Sequence, residues 1–322
     1  MDSTDIAPPT TDLPSGEPVP MSSAPIPQAK PLPLMDLIDA APSNIDAFLA
    51  HLHRCLQTPS GIDTILLFLC YTSRLGASVL QSASGPAIKR SAERLLKAAD
   101  ALPPSATLVF SSKAFPSRSV AVILQIAKRL RAFSVLLSDV RTFMRLWGLL
   151  NMYFWARALV FKWRQSQERD GQPKTDMVET AIAWAQLTAC VIFQSLENGA
   201  YLASKGVLGW APATQAKAAR WSARFWAGFV GIELGRLVYE LHKRSQRSAK
   251  ERIGDKTIAE VELEEREWNE TWRKSVVRNA AWAPLTVHWS LEKGYLSEMA
   301  IGAIASIPGF IQMRDLWRRT AE

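Results

Sequence analysis

Four histidines, His51, His53, His242 and His288, are the side chains that titrate near neutral pH by default, so acid–base chemistry would have to start from them. His51 and His53 are two residues apart and leave a helix in different directions, whereas a helical zinc pair needs i, i+4 spacing and a further ligand. His288, Ser290 and Glu292 supply the three residue types of a nucleophile–base–acid set, but no nucleophile elbow or other frame surrounds them. The glycines lie in helical contexts, and the phosphate loop GxxxxGK followed by Ser or Thr is absent. Cys55, Cys70 and Cys190 sit far apart inside apolar runs. They lack metal-ligand spacing, their odd number gives no disulfide framework, and they read as small buried hydrophobes of a reducing compartment. The expectation is a protein with no catalytic residue, no metal site and no cofactor, and not an enzyme.

The chemistry that remains is interfacial. In residues 119–147, at about 100° per residue, Ile123, Ile126, Leu130, Phe133, Leu137, Val140, Met144 and Trp147 fall on one arc of a helix. Lys128, Arg131 and Arg145 fall opposite, with Gln125, Asp139 and Thr142. Arg129 and Arg141 sit on the flanks, where an arginine stem can lie along an apolar surface with its charge in water. A helix of this form lies in a membrane interface, apolar arc in the acyl boundary and cations among anionic headgroups. A core-facing helix of a soluble bundle has the same pattern. The whole chain of 322 residues carries 12 Trp, a net charge of +8 and a mean hydropathy of −0.01. Tryptophan favours membrane–water boundaries. A basic chain could instead bind nucleic acid, but no zinc-finger spacing, RNP-like strand or helix-turn-helix signature is present. The anionic partner expected is therefore a phospholipid membrane.

Stepping along the elements, residues 1–42 read as a disordered Pro-rich tail without the basic and apolar regions of a signal peptide. An amphipathic helical region follows over 43–164, with helices expected over about 44–57, 61–81 and 86–102, and then the long amphipathic helix continuing towards Lys162. Residues 165–175 form a polar linker, within a membrane-associated helical region set at 165–241. There 178–196 is long enough to cross a bilayer at roughly 1.5 Å per residue. Residues 221–241 carry Ala227, Gly231 and Gly235 four apart, a small-residue stripe that lets helices approach closely, within the chain or between copies. Residues 242–275 are a charged, solvated segment. The last region, 276–322, holds the preferred spanning candidate at 295–313. The fold class expected is all-α: a helical membrane protein with amphipathic interfacial helices and one to three membrane-spanning helices.

Four blocks then carry a resemblance: SGIDTILLFLCYTSRL (60–75), LSDVR to LWGL (137–149), FQSLENGAYLASKGVL (193–208) and HWSLEKGYL (288–296). Together, from about residue 45 to 318, they resemble the peroxisomal biogenesis factor 11 family, most closely its fungal "C" or gamma-like branch. The resemblance implies a protein of the peroxisomal membrane that elongates it, promotes peroxisome division and proliferation, self-associates with copies and other family members, and works with dynamin-type GTPases and their adaptors. It implies an amphipathic helix in the N-terminal half that inserts and tubulates, a role that 119–147 or 61–81 matches. Residues 62–66, Ile-Asp-Thr-Ile-Leu, depart from the family's basic pattern after its leading Gly, so no lipid attraction is carried to that helix. Two rival expectations are a solute channel with Glu233, Arg236 and Glu298 lining a polar path, and a helical scaffold that recruits fission factors.

Overall fold

The computed structural model describes residues 41–100, 118–168, 177–246 and 257–321, in which eight α-helices and no strand occur. They are α1 (Ala41–Cys55), α2 (Pro59–Asp100), α3 (Arg118–Met144), α4 (Gly148–Glu168), α5 (Met177–Ser204), α6 (Pro212–Gln246), α7 (Ile258–Ser290) and α8 (Glu298–Arg319), with a single 3-10 turn at Arg145–Trp147 joining α3 to α4. The tail read for 1–42, the loop before α3 and most of the 165–175 linker lie outside the described residues, residues 41 and 42 excepted.

Local chemistry sets the ends. Pro59 and Pro212 open α2 and α6, where a missing N–H has no partner to lose. Thr257 caps α7 in a reciprocal pair with Glu260, and the Ser297 hydroxyl accepts from Ala300 N to cap α8. After α5 the chain reverses at Gly206, whose φ of +76° lies in the region that other residues avoid. The two helices expected over 61–81 and 86–102 are one, because Pro86 sits at an exposed position between full turns and removes one hydrogen bond without ending α2.

Packing runs from neighbour to neighbour: α3 on α2, α2 on α8, α8 on α7, α7 on α6, α6 on α5 and α5 on α4. The main core joins α2 and α4 through α8 and is built from Leu67 and Tyr71, Met152, Leu187 and Cys190, Phe229, Trp282 and Leu285, and Ile301 and Ala305; a smaller one of Cys55, Ile65 and Leu316 seats α1. Trp226, Trp282 and Trp289 cluster there, with ring centroids 5.3–6.5 Å apart. Composition alone assigned the tryptophans to a boundary; these three serve the core. All three cysteines are buried and none forms a disulfide.

Two described helices, α2 over Pro59–Lys97 and α5, are long and apolar enough to cross a membrane. The α5 helix contains the expected 178–196 stretch. The preferred candidate, 295–313, is not among them: α8 is bounded by Glu298 at its start and Arg314, Asp315, Arg318 and Arg319 at its end, and its small residues serve contact with α2. A Cβ on Gly302 would lie 2.8 Å from Leu75 N and 2.9 Å from its Cα. Gly302→Val is therefore expected to force α8 off α2 at a cost of about 1–3 kcal/mol, seen as a lower midpoint for thermal loss of the helical signal, with Gly302→Ala giving a smaller change of the same sign.

Candidate membrane-facing surface

The sequence placed eight apolar residues of 119–147 on one arc, and the structure divides that arc lengthwise. One edge docks on α2. Ala127, Ser134, Leu137 and Arg141 are buried there, Ile123 and Leu130 are half-buried, and Leu130 Cδ1 lies against Gly76. Cys70 Sγ reaches Ser134 O at 3.3 Å along the same seam. Val140 and Met144 are also half-buried.

The other edge stays open. Val122, Ile126, Phe133, Leu136, Phe143 and Trp147 are all exposed, Trp147 at 73%. The ridge continues along α4 through Leu150, Tyr153, Phe154 and Phe161. Exposed large side chains in such a row exceed the scattered apolar residues of an ordinary soluble surface. Sequence reading missed Val122, Leu136 and Phe143 and the α4 part of the ridge. The helical spacing of Leu150, Phe154 and Phe161, four and then seven residues apart, was the available signal.

The five candidate cations separate as well. Lys128 and Arg129 are exposed on α3, Arg129 in line with the ridge between Ile126 and Phe133 and Lys128 to one side of it. Arg131 shares Glu298 with Arg74, clasping α3 to the N-terminus of α8 and to α2. Burial works against ionisation of Glu298, but the hydrogen bond and charge of Arg74, with Arg131 behind it, hold its carboxyl below the ordinary carboxylate range. Stability from this clasp is therefore present above the ordinary value and is lost as pH falls through the lowered one.

Arg141 and Arg145, read from the sequence as headgroup cations, are placed inside the bundle. Arg141 is 5% exposed and donates from Nε and Nη2 to Asp63 Oδ1 and Oδ2 at 2.8 and 3.2 Å. Arg145 donates to both oxygens of Glu197 at 3.0 and 2.8 Å. Burial alone would lower the pKa of Arg145, yet Glu197 and then Asp63 raise it above the ordinary arginine value, so it stays charged at any accessible pH. Asn198 Nδ2 donates to Leu146 O at 3.1 Å beside this pair. Three of the four sequence blocks thus meet at one junction, where bidentate pairs fix the end of α3 to α2 and α5. Asp139, with Lys205 at 2.6 Å, adds a fourth link.

On α6, Ala227 is half-buried while Gly231 and Gly235 are exposed, and a Cβ on either glycine would meet nothing within 4 Å. The stripe is open rather than packed within the chain. Its neighbour Glu233 is 2% exposed, receiving Gln186 Nε2 at 2.6 Å and a bidentate pair from Arg236. Glu233 with Arg236 and Glu298 with Arg74 and Arg131 therefore form separate helix-fastening clusters. His288 has a comparable structural use: its Nδ1 accepts from Leu296 N at 2.9 Å, Gly294 packs against its ring, and Ser290 donates to Val287 O. The three groups of the imagined nucleophile set are thus occupied separately, Glu292 being aimed at Arg220. Among the described residues no cluster of His, Cys, Asp and Glu is arranged to hold a metal.

Residues 116–317 match the family model described as Peroxisomal biogenesis factor 11 (PEX11), a span that runs from the start of α3 into the last turns of α8 and leaves α1 and α2 outside. Neither the curated proteins nor the solved structures yield a match.

Proposed function

The chain belongs to the peroxisomal biogenesis factor 11 family, proteins of the peroxisomal membrane that act in peroxisome biogenesis and proliferation, and from this premise we propose that it bends that membrane by seating the open ridge of α3 and α4 in one leaflet. The observation that carries the reading is the ridge itself, five large apolar side chains exposed along α3 and Trp147 in the turn that follows, with Lys128 and Arg129 exposed on the same helix. Apolar side chains sunk roughly 5–10 Å into the headgroup and acyl boundary expand the leaflet they enter. Copies brought together would add their wedges, and curvature follows from local concentration without nucleotide hydrolysis. Membership in the fungal "C" or gamma-like branch, and work with dynamin-type fission factors, are part of this proposal on the strength of the resemblance.

Cations near an anionic surface contribute about 1 kcal/mol each, less at high salt. Lys128→Gln with Arg129→Gln in the reconstituted full-length protein is therefore expected to weaken tubulation of anionic liposomes several-fold and to leave zwitterionic liposomes unaffected, with added salt reproducing the effect on wild type. Equal loss on both lipid types would overturn the assigned role of these cations.

Self-association fits the open stripe on α6. A Cβ at Gly231 or Gly235 meets nothing within 4 Å among the described residues, so with Gly231→Leu and Gly235→Leu abundance should hold while cross-linking between differently tagged copies falls and peroxisomes become fewer and larger. Stable protein with undiminished cross-linking would remove the stripe from the oligomer contact.

A further inference from the structure

The charge-dense first half of α7 is more than a solvated face. Trp268 and Trp272 turn one side of it onto α6: the Trp272 indole donates to Leu237 O at 3.0 Å and Arg244 lies over the Trp268 ring at 4.3 Å. Positions 266, 270, 273, 274 and 277, at helical spacing, then face α8. Between them and Ile311 and Arg314 of α8 lies an open groove of about 430 Å³, within the size range of small-molecule sites.

The charges in this groove are unequally used. Lys274 Nζ bridges Glu270 Oε1 and Asp315 Oδ1, both at 2.9 Å, so the two carboxylates are spent on one ammonium that ties α7 to α8. Arg266, Arg273 and Arg314 line the same groove, are exposed, and form no ion pair among the described residues. The Glu270 carboxyl is held below its ordinary range first by its Lys274 hydrogen bond, with Arg314 and Arg318 adding to the effect, which fits a groove of positive potential. Three guanidinium groups around one concavity offer paired N–H donors, the geometry that matches phosphate oxygens. Val277 and Ile311 supply an apolar floor for a ring or stem between the phosphates.

We infer that the groove between α7 and α8 binds a ligand carrying clustered phosphate groups, supplied by a phosphoinositide headgroup or by a free polyphosphate. The site is independent of the α3 ridge, and its failure would leave the remodelling reading intact.

The test uses full-length protein in phosphatidylcholine vesicles, with inositol hexakisphosphate as probe and calorimetry as readout. Wild type should bind the probe, and Arg273→Gln with Arg314→Gln should weaken it by roughly a hundredfold, about tenfold for each charge-assisted contact removed. Both side chains are exposed, so the helical signal and its melting midpoint should match wild type. The Lys version of the same double variant should fall between the two, because charge is kept and the paired-donor geometry is lost. Phosphatidylinositol bisphosphate added to the vesicles should displace the probe if a headgroup is the occupant; persistence of probe binding assigns the groove to a free polyphosphate. Probe binding equal in wild type and the Gln variant, no binding beyond that of sulfate, or loss through Lys128→Gln with Arg129→Gln in its place would overturn the inference.

Discussion

Ile126→Glu, Phe133→Glu and Trp147→Glu together are expected to abolish tubulation of anionic liposomes by the reconstituted full-length protein while leaving its helical signal intact. The three side chains are 45%, 42% and 73% exposed, so the substitutions leave the buried core untouched. In a membrane interface each would place a carboxylate where acyl chains lie, at a combined cost of several kcal/mol. Leu130 also lies on the arc read from the sequence, but a charge there would strike the α2 seam and confound insertion with unfolding. A triple variant that tubulates like wild type would make the ridge a protein-contact surface instead.

The largest stability effect is expected at the junction below α3. Asp63, whose side chain is 15% exposed in contact with Arg141, loses its bidentate partner in Arg141→Ala. Removing one member of such a pair typically costs about 3–5 kcal/mol, much of it the penalty of the stranded charge. Helical signal in detergent should melt several degrees lower, and cellular abundance should fall. Asp63→Leu combined with Arg141→Met should restore most of the loss, since neither charge then remains buried. Recovery no better than the single variant would indicate that the pair supplies more than mutual neutralisation.

The two kinds of residue on α3 show what a sequence makes legible. Helical periodicity identified the helix itself, because hydrophobic spacing depends on local geometry alone. It could not divide the apolar arc into a docked and an open edge, since that depends on α2, which lies far away in the chain. Arg141 and Arg145 read as headgroup cations for the same reason: their carboxylates are 78 and 52 residues distant. The glycine spacing on α6 was visible, whereas its open side was settled only by where α5 and α7 pack. The preference for 295–313 as the spanning segment came from its apolar composition. Its glycines serve close contact with α2 instead, and the length and apolarity that crossing requires belong to α2 and α5.

Depth along the open edge of α3 reports whether that edge lies in the leaflet. Spin labels introduced by Phe133→Cys, Phe143→Cys, Lys128→Cys and Asp139→Cys, each in a background with the three buried cysteines replaced, can be read by power saturation in anionic vesicles. Labels at 133 and 143 are expected roughly 5–10 Å below the headgroups, accessible to oxygen and shielded from a water-soluble relaxant, with those at 128 and 139 in water. Labels at 133 and 143 as accessible to the aqueous relaxant as those at 128 and 139 would contradict the account.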